Sequence, residues 1–180
     1  AAAISPDGKL IAVGGWTGWD WDGKASIYLF ERSTGTMSKR ISGLPEVIKA
    51  LKFSPDGRHL AVLMGNGKGL CVLRTNDWQV AALDVAYGGD AYGLDFDRSG
   101  RIVTASWDGK IRLYGADFRY LRQTDMPQGI RPYAVAFSPD AGRIAVGTTE
   151  SDRLFLFSSA DLSRQQSPPA SETDGALFSV

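Results

Sequence analysis

The segment Phe53-Ser54-Pro55-Asp56-Gly57 decides the fold, because variants of it recur along the chain. The related segments are Ile4–Gly8, Phe96–Gly100 and Phe137–Gly142, and their leading apolar residues are 49, 43 and 41 positions apart. Proline presets φ at the first corner of a turn, aspartate bonds to nearby backbone, and glycine takes the positive φ that closes a hairpin. A period of this length predicts a repeat architecture whose units each begin with a β-hairpin.

Each repeat contains four short segments with the composition of β-strands. An apolar alternation precedes the turn, two segments rich in β-branched and aromatic residues follow it, and a more polar segment ends the unit. Four antiparallel strands in about 40 to 45 residues are typical of a propeller blade. The sequence therefore predicts an all-β chain with four β-propeller blades, at about 1–46, 47–89, 90–130 and 131–175, with 176–180 opening a further blade.

One repeat also carries a family resemblance. The stretch Gly100–Tyr114, which reads Gly-Arg-Ile-Val-Thr-Ala-Ser-Trp-Asp-Gly-Lys-Ile-Arg-Leu-Tyr, resembles a WD repeat. The resemblance implies a closed ring of about seven blades and a platform for protein complexes. The repeats are degenerate, as in bacterial members: the third-strand Trp-Asp pair is replaced in every unit, and the family's Gly-His pair is absent. Because both ends fall inside a blade, we expect four blades of a longer propeller, with the remaining blades as neighbours.

Composition narrows the class of partner. Twenty basic residues balance twenty acidic ones, so no strong positive field favours nucleic acid. No apolar run approaches the roughly 18 residues that span a bilayer. The one cysteine, Cys71, lies in an apolar strand and reads as a small buried hydrophobe. These features predict a protein or peptide partner and a cytoplasmic location, with a periplasmic one left open.

No set of residues in the sequence has the pattern of a catalytic or metal site. The single histidine, His59, lies beside a turn, and a nucleophile would need a base positioned next to it. One histidine and one cysteine cannot supply a zinc site, and calcium needs several oxygens within one loop. We therefore expect no metal, no cofactor and no catalytic residue. The Asp and Gly residues of the turns are predicted to be structural: Asp7, Gly8, Asp56, Gly57, Asp108, Gly109, Asp140 and Gly142.

An insertion in the first blade stands out as a candidate partner site. The interval from the first-strand end to the third-strand end is 26 residues in this blade, against 20, 18 and 20 in the others. The insertion holds three tryptophans, a residue type frequent in interface hot spots. Trp107 is predicted on the equivalent loop of the third blade, with three rim residues on the loops between blades. The predicted contact residues are Trp16, Trp19, Trp21, Trp107, Tyr87, Asp90 and Arg131.

Two interpretations of the Trp-rich loop stay open, and so do three of the function. The tryptophans either bind a partner or fold back over their own blade. The leading hypothesis is a noncatalytic interaction scaffold. The alternatives are an accessory propeller of a multidomain bacterial enzyme, such as a protease or kinase, and a propeller enzyme of the lactonase or quinoprotein type. The last needs carboxylates in the central channel, where the first strands offer only Lys49, Lys52 and Asp95.

Overall fold

A computed structural model describes residues 1–18, 23–149 and 154–166, and these residues form four antiparallel four-stranded sheets. In every sheet the strands are paired in chain order, so that the last strand lies at an edge. The predicted all-β fold of four-stranded propeller blades is confirmed. No helix long and apolar enough to cross a membrane occurs in the described part of the chain.

The chain divides into two compact units, Ala1–Asp90 and Ala91–Val180. The strands of the first unit, blades one and two, are β1 (Ala2–Ile4), β2 (Leu10–Val13), β3 (Ala25–Glu31), β4 (Met37–Leu44), β5 (Ile48–Phe53), β6 (His59–Met64), β7 (Gly69–Arg74) and β8 (Val80–Asp84). Those of the second unit, blades three and four, are β9 (Ala91–Phe96), β10 (Ile102–Ser106), β11 (Lys110–Tyr114), β12 (Tyr120–Asp125), β13 (Pro132–Phe137), β14 (Arg143–Thr148), β15 (Phe155–Ser158) and β16 (Arg164–Gln165).

Within the first unit, the two blades share one apolar core. It is built mainly from alternating residues of strands β3, β5 and β6, including Ile27, Leu29, Leu60 and Val62. Close approach at Gly14 is part of this packing, since a Cβ there would lie 2.6 Å from Cδ1 of Ile48. Cys71 belongs to the same core and is 2% exposed, as its apolar strand predicts.

The second unit has a core of its own, and two contacts between first strands help to join its two blades. A Cβ on Gly93 would lie 2.9 Å from the carbonyl oxygen of Tyr133, so only glycine lets β9 approach β13 this closely. Asp95 accepts a hydrogen bond from the backbone N–H of Phe137 at 2.7 Å. This buried carboxylate, the only one among the predicted channel residues, therefore serves to join strands.

The turns between first and second strands of blades one, two and four repeat one hydrogen-bond pattern. In blade two the Ser54 hydroxyl donates to Asp56 Oδ1 at 2.6 Å and accepts from the His59 N–H at 3.0 Å. The hydrogen bond from Ser54 is the main reason why the pKa of Asp56 is lowered. Gly57 closes the turn at φ 70°. The same serine and aspartate contacts recur at Ser5 with Asp7 and at Ser138 with Asp140.

Blade four differs from the prediction at one turn residue. Ala141, not Gly142, takes the positive φ of 58°. Ala141 has the same spacing from Ser138 as Gly57 has from Ser54, so the hydrogen bonds of Ser138 and Asp140 set the left-handed position at an alanine. Gly142 instead donates its N–H to Asp140 Oδ1 at 3.0 Å.

Candidate protein-interaction surface

Trp107 is presented by a tight turn between β10 and β11. The Gly109 N–H donates to the Ser106 carbonyl at 3.0 Å, and Gly109 has a φ of 81°, so Trp107 and Asp108 occupy the turn's centre. Asp108 forms an ion pair with Arg112, whose side chain is 3% exposed. The predicted structural role of Asp108 and Gly109 thus has a concrete form: a buried ion pair holds the turn that carries the tryptophan.

Trp107 belongs to a row of aromatic rings in the second unit. Its ring centroid lies 4.8 Å from that of Tyr92, at an interplanar angle of 45°. Tyr92 in turn stacks on Tyr133, with centroids 4.7 Å apart and planes 22° apart. The guanidinium carbon of Arg131 lies 5.5 Å from the Trp107 ring centroid. We call Trp107, Tyr92, Tyr133 and Arg131 the aromatic stack.

The sequence explains why the stack forms. Tyr92 and Tyr133 each stand four residues before the end of a first strand, so they occupy the same repeat position on neighbouring strands. Gly93 allows those strands to approach closely, which brings the rings together. Arg131 is positioned by the backbone, because its carbonyl accepts from the Thr149 N–H at 3.3 Å. The loop between β10 and β11 and the loop before β13 therefore both contribute to one cluster.

The stack is partly accessible to a partner. Trp107 is 36% exposed, Arg131 is exposed, and the two tyrosines are half-buried. Each ring packs on a neighbouring ring, so the side chains are ordered before a partner arrives. Binding through such side chains costs less conformational entropy than ordering free ones.

Two predicted contact residues of the first unit, Tyr87 and Asp90, lie on the segment after β8. Asp90 forms an ion pair with Lys49 at 3.0 Å and accepts from the Asn66 N–H at 2.5 Å. Tyr87 is buried, at 7% exposed, and its ring packs so closely on Gly69 that a Cβ there would lie 2.4 Å from Tyr87 Cδ2. The predicted rim residue Tyr87 thus supports the loop from within, and Asp90 fixes the Asn66 turn.

The described part of the Trp-rich insertion ends at Gly18 and resumes at Gly23. Trp16 is 67% exposed, and the loop base is closed by a hydrogen bond from the Ser26 N–H to the Thr17 carbonyl at 2.8 Å. Trp19 and Trp21 lie outside the described residues. The choice between partner binding and packing over the blade therefore stays a prediction for those two tryptophans.

Sequence reasoning had missed Tyr92 and Tyr133, although a signal for them exists. Their repeat position is held by Lys49 in blade two, which also lies in a loop-face cluster. A residue at this position of each repeat thus reaches the loop face, and comparing repeats position by position would have found both tyrosines. No group of three or more His, Cys, Asp or Glu in the described part of the chain is placed to hold a metal ion.

A family model and a known protein are similar to this chain in sequence. The family model "WD domain, G-beta repeat" matches residues 80–115, which include the whole stretch Gly100–Tyr114 that resembles a WD repeat. The chain thus contains a segment that is similar to a WD repeat. The chain is 28% identical over 147 residues to rat telomerase protein component 1, and the match covers 79% of the chain and 5% of that protein.

A solved structure has the same fold. A chain from the crystal structure of the mitotic checkpoint complex superposes with a TM-score of 0.81 at 15% sequence identity. The match covers 99% of this chain and 55% of the chain in the complex. The protein therefore spans about half the length of its structural match and a small part of its curated relative.

Proposed function

We propose that the chain is a noncatalytic scaffold that binds a protein partner through the loops of its WD-type blades. The observation that carries the proposal is the aromatic stack. Tryptophan, tyrosine and arginine are the residue types enriched in interface hot spots, and here they form one ordered, accessible cluster. The structural match to a chain of a protein complex, in a fold used mainly for assembly, supports the same conclusion.

The chemistry of the stack suggests what the partner offers. The ring edges of Trp107 and Tyr133 favour contact with an aromatic or aliphatic side chain. The Arg131 guanidinium lies over the Trp107 ring, and its planar fork of N–H donors matches a carboxylate. We infer a peptide segment in which an apolar side chain is followed closely by an acidic one.

The test is a selection of peptides followed by substitution. Peptides are selected from a displayed random library against the full chain, and their affinities are measured by calorimetry with Trp107→Ala, Arg131→Ala and Tyr120→Ala. Loss of a hot-spot tryptophan is expected to weaken binding by about 30-fold, or about 2 kcal/mol. Arg131→Ala should weaken acidic peptides more than their amide analogues.

Tyr120→Ala is the matched control. Tyr120 is an exposed aromatic of the same blade, at 50% exposure, but lies on the outer strand β12 rather than on a loop. Its replacement should leave affinity within about twofold, as for surface residues outside a hot spot. Equal losses for Trp107→Ala and Tyr120→Ala, or selected peptides that bind all variants alike, would contradict the proposal.

A second candidate function is an accessory propeller within a longer multidomain protein, such as a bacterial protease or kinase. The observation in its favour is that the curated relative is far longer than this chain, which covers 5% of it. The full reading frame distinguishes the two: an adjoining catalytic domain whose activity changes on Trp107→Ala supports the accessory role.

A further inference from the structure

The outer strands of the blades differ in how they are protected against pairing with another strand. Each is the edge of its sheet and has a strand neighbour on one side only. Edge strands usually carry charges, above all lysine, that prevent a further strand from adding. Three of the four described outer strands follow this rule: β4 contains Lys39 and Arg40, β12 contains Arg122, and β16 contains Arg164.

Strand β8 does not follow it. Its sequence is Val-Ala-Ala-Leu-Asp, with no Lys, Arg or Pro, and no basic residue lies anywhere between Arg74 and Arg98. Val80 is 53% exposed and Leu83 is 60% exposed, and Val85 directly after the strand is 57% exposed. The register shift of β8 lies at its start, between Val80 and Ala82, and from Ala82 onwards the strand pairs regularly and offers an extended edge, which is a template for strand addition.

We propose that β8 is a second interaction surface, which accepts an extended apolar segment of a protein partner as an added strand. This surface is distinct from the aromatic stack and does not depend on it. Backbone groups on the open side of β8 would supply the pairing, and Val80, Leu83 and Val85 would contact alternate side chains of the segment.

Charge and size define the occupant. Asp84 at the end of β8 is the only charged residue of the strand, so a lysine or arginine opposite it is favoured over an acidic residue. The strand of five residues is about 17 Å long, and the area it can bury is well below the roughly 1,200 Å² of a stable interface between two folded chains. A flexible basic and apolar segment therefore fits better than a second copy of this chain.

The experiment uses the full ¹⁵N-labelled chain and a capped octapeptide that alternates valine with threonine and carries a lysine near each end. Amide shifts are followed by NMR. Residues of β8 should shift, and a matched peptide with glutamate in place of lysine should bind at least about threefold more weakly, because glutamate repels Asp84. Leu83→Lys should weaken the lysine peptide by at least about tenfold, since an edge lysine blocks strand addition.

Leu121→Lys is the matched control, because Leu121 is an exposed leucine on outer strand β12, at 50% exposure. It should leave the affinity unchanged. If Leu83→Lys does not fold, Val80→Thr replaces it, which keeps a β-branched residue and removes apolar surface. Shifts outside β8, or equal affinity in the β8 and β12 variants, would overturn the proposal. The proposal would also be overturned if the chemical shifts of β8 residues changed with protein concentration in the absence of peptide, because the occupant would then be a second copy of the chain.

Discussion

Asp97 and Arg101 form the connection between blades three and four whose removal has the largest expected effect. The Asp97 carboxylate is 1% exposed and accepts from the Arg101 Nε at 2.6 Å, as well as from the backbone and hydroxyl of Ser99. The Arg101 guanidinium also donates to the carbonyls of Ser159 and Ala141, at 3.2 and 3.1 Å. One ion pair thus ties a turn of blade three to two turns of blade four.

Replacing Asp97 by alanine should destabilise the chain by about 3 kcal/mol. A hydrogen bond to a charged group contributes about 1.5 to 3 kcal/mol, and Asp97→Ala also leaves the N–H groups of Ser99 and Arg101 without their acceptor. The Arg101 side chain is about a quarter exposed, so water replaces part of the lost interaction. The loss of unfolding free energy is therefore expected at the lower end of the range for breaking a buried ion pair.

The other blades supply a rescue. Their turns have serine where blade three has Asp97, and aspartate where it has Ser99, so the double variant Asp97→Ser, Ser99→Asp restores the common turn. The double variant should lose only about 1 kcal/mol of unfolding free energy. The hydrogen bonds within the turn are restored, and only the buried ion pair with Arg101 is lost. Asp7→Ala, in the exposed turn of blade one, should destabilise the chain much less than Asp97→Ala, because water replaces the lost interactions.

Urea unfolding followed by circular dichroism measures all four proteins. The midpoints should rank wild type highest, then Asp7→Ala and the double variant, and Asp97→Ala lowest. If Asp97→Ala loses no more stability than Asp7→Ala, the ion pair is not the connection between blades that its geometry suggests.

Three further predictions concern a turn, a thiol and acid stability. Gly69→Ala should destabilise by more than about 2 kcal/mol in urea unfolding, since its Cβ would lie 2.3 Å from the Asp84 carbonyl; Gly109→Ala, with open space around it, should cost about 1 kcal/mol. Cys71, whose pKa burial raises to about 11, should react with a thiol reagent at pH 8 at least about 100-fold more slowly in the folded than in the urea-unfolded chain, and equal rates would contradict its burial. Aspartates with a lowered pKa stabilise the folded state at pH values above their unfolded pKa of 3.8. The free energy of unfolding should therefore fall as the pH drops from about 4 towards about 2, which is the pKa of Asp161. A free energy of unfolding that does not change over this range would refute the prediction. The aspartates with a lowered pKa are Asp7, Asp56, Asp77, Asp97, Asp140 and Asp161.

Much of the fold was predictable because its information is local. A turn such as Ser54–Gly57 forms from hydrogen bonds between residues within five positions of each other, and the strands on either side follow from alternation over a few residues. The repeat then multiplies this local signal, so the blades and their four strands could be located from the amino-acid sequence. Even the exception at Ala141 follows from spacing once the turn's hydrogen bonds are known.

The candidate sites depend on contacts that no local pattern encodes. Tyr92 and Tyr133 are 41 residues apart and meet because Gly93 lets two first strands approach, and Arg101 reaches Ser159 across 58 positions. Tyr87 has the composition of a rim residue, yet the close approach of Gly69 buries it. The sequence by itself determined the blades and the loops that carry Trp107 and Arg131. Only the tertiary structure decided which side chains meet on those loops, because strand packing between blades sets the distances between residues far apart in the chain.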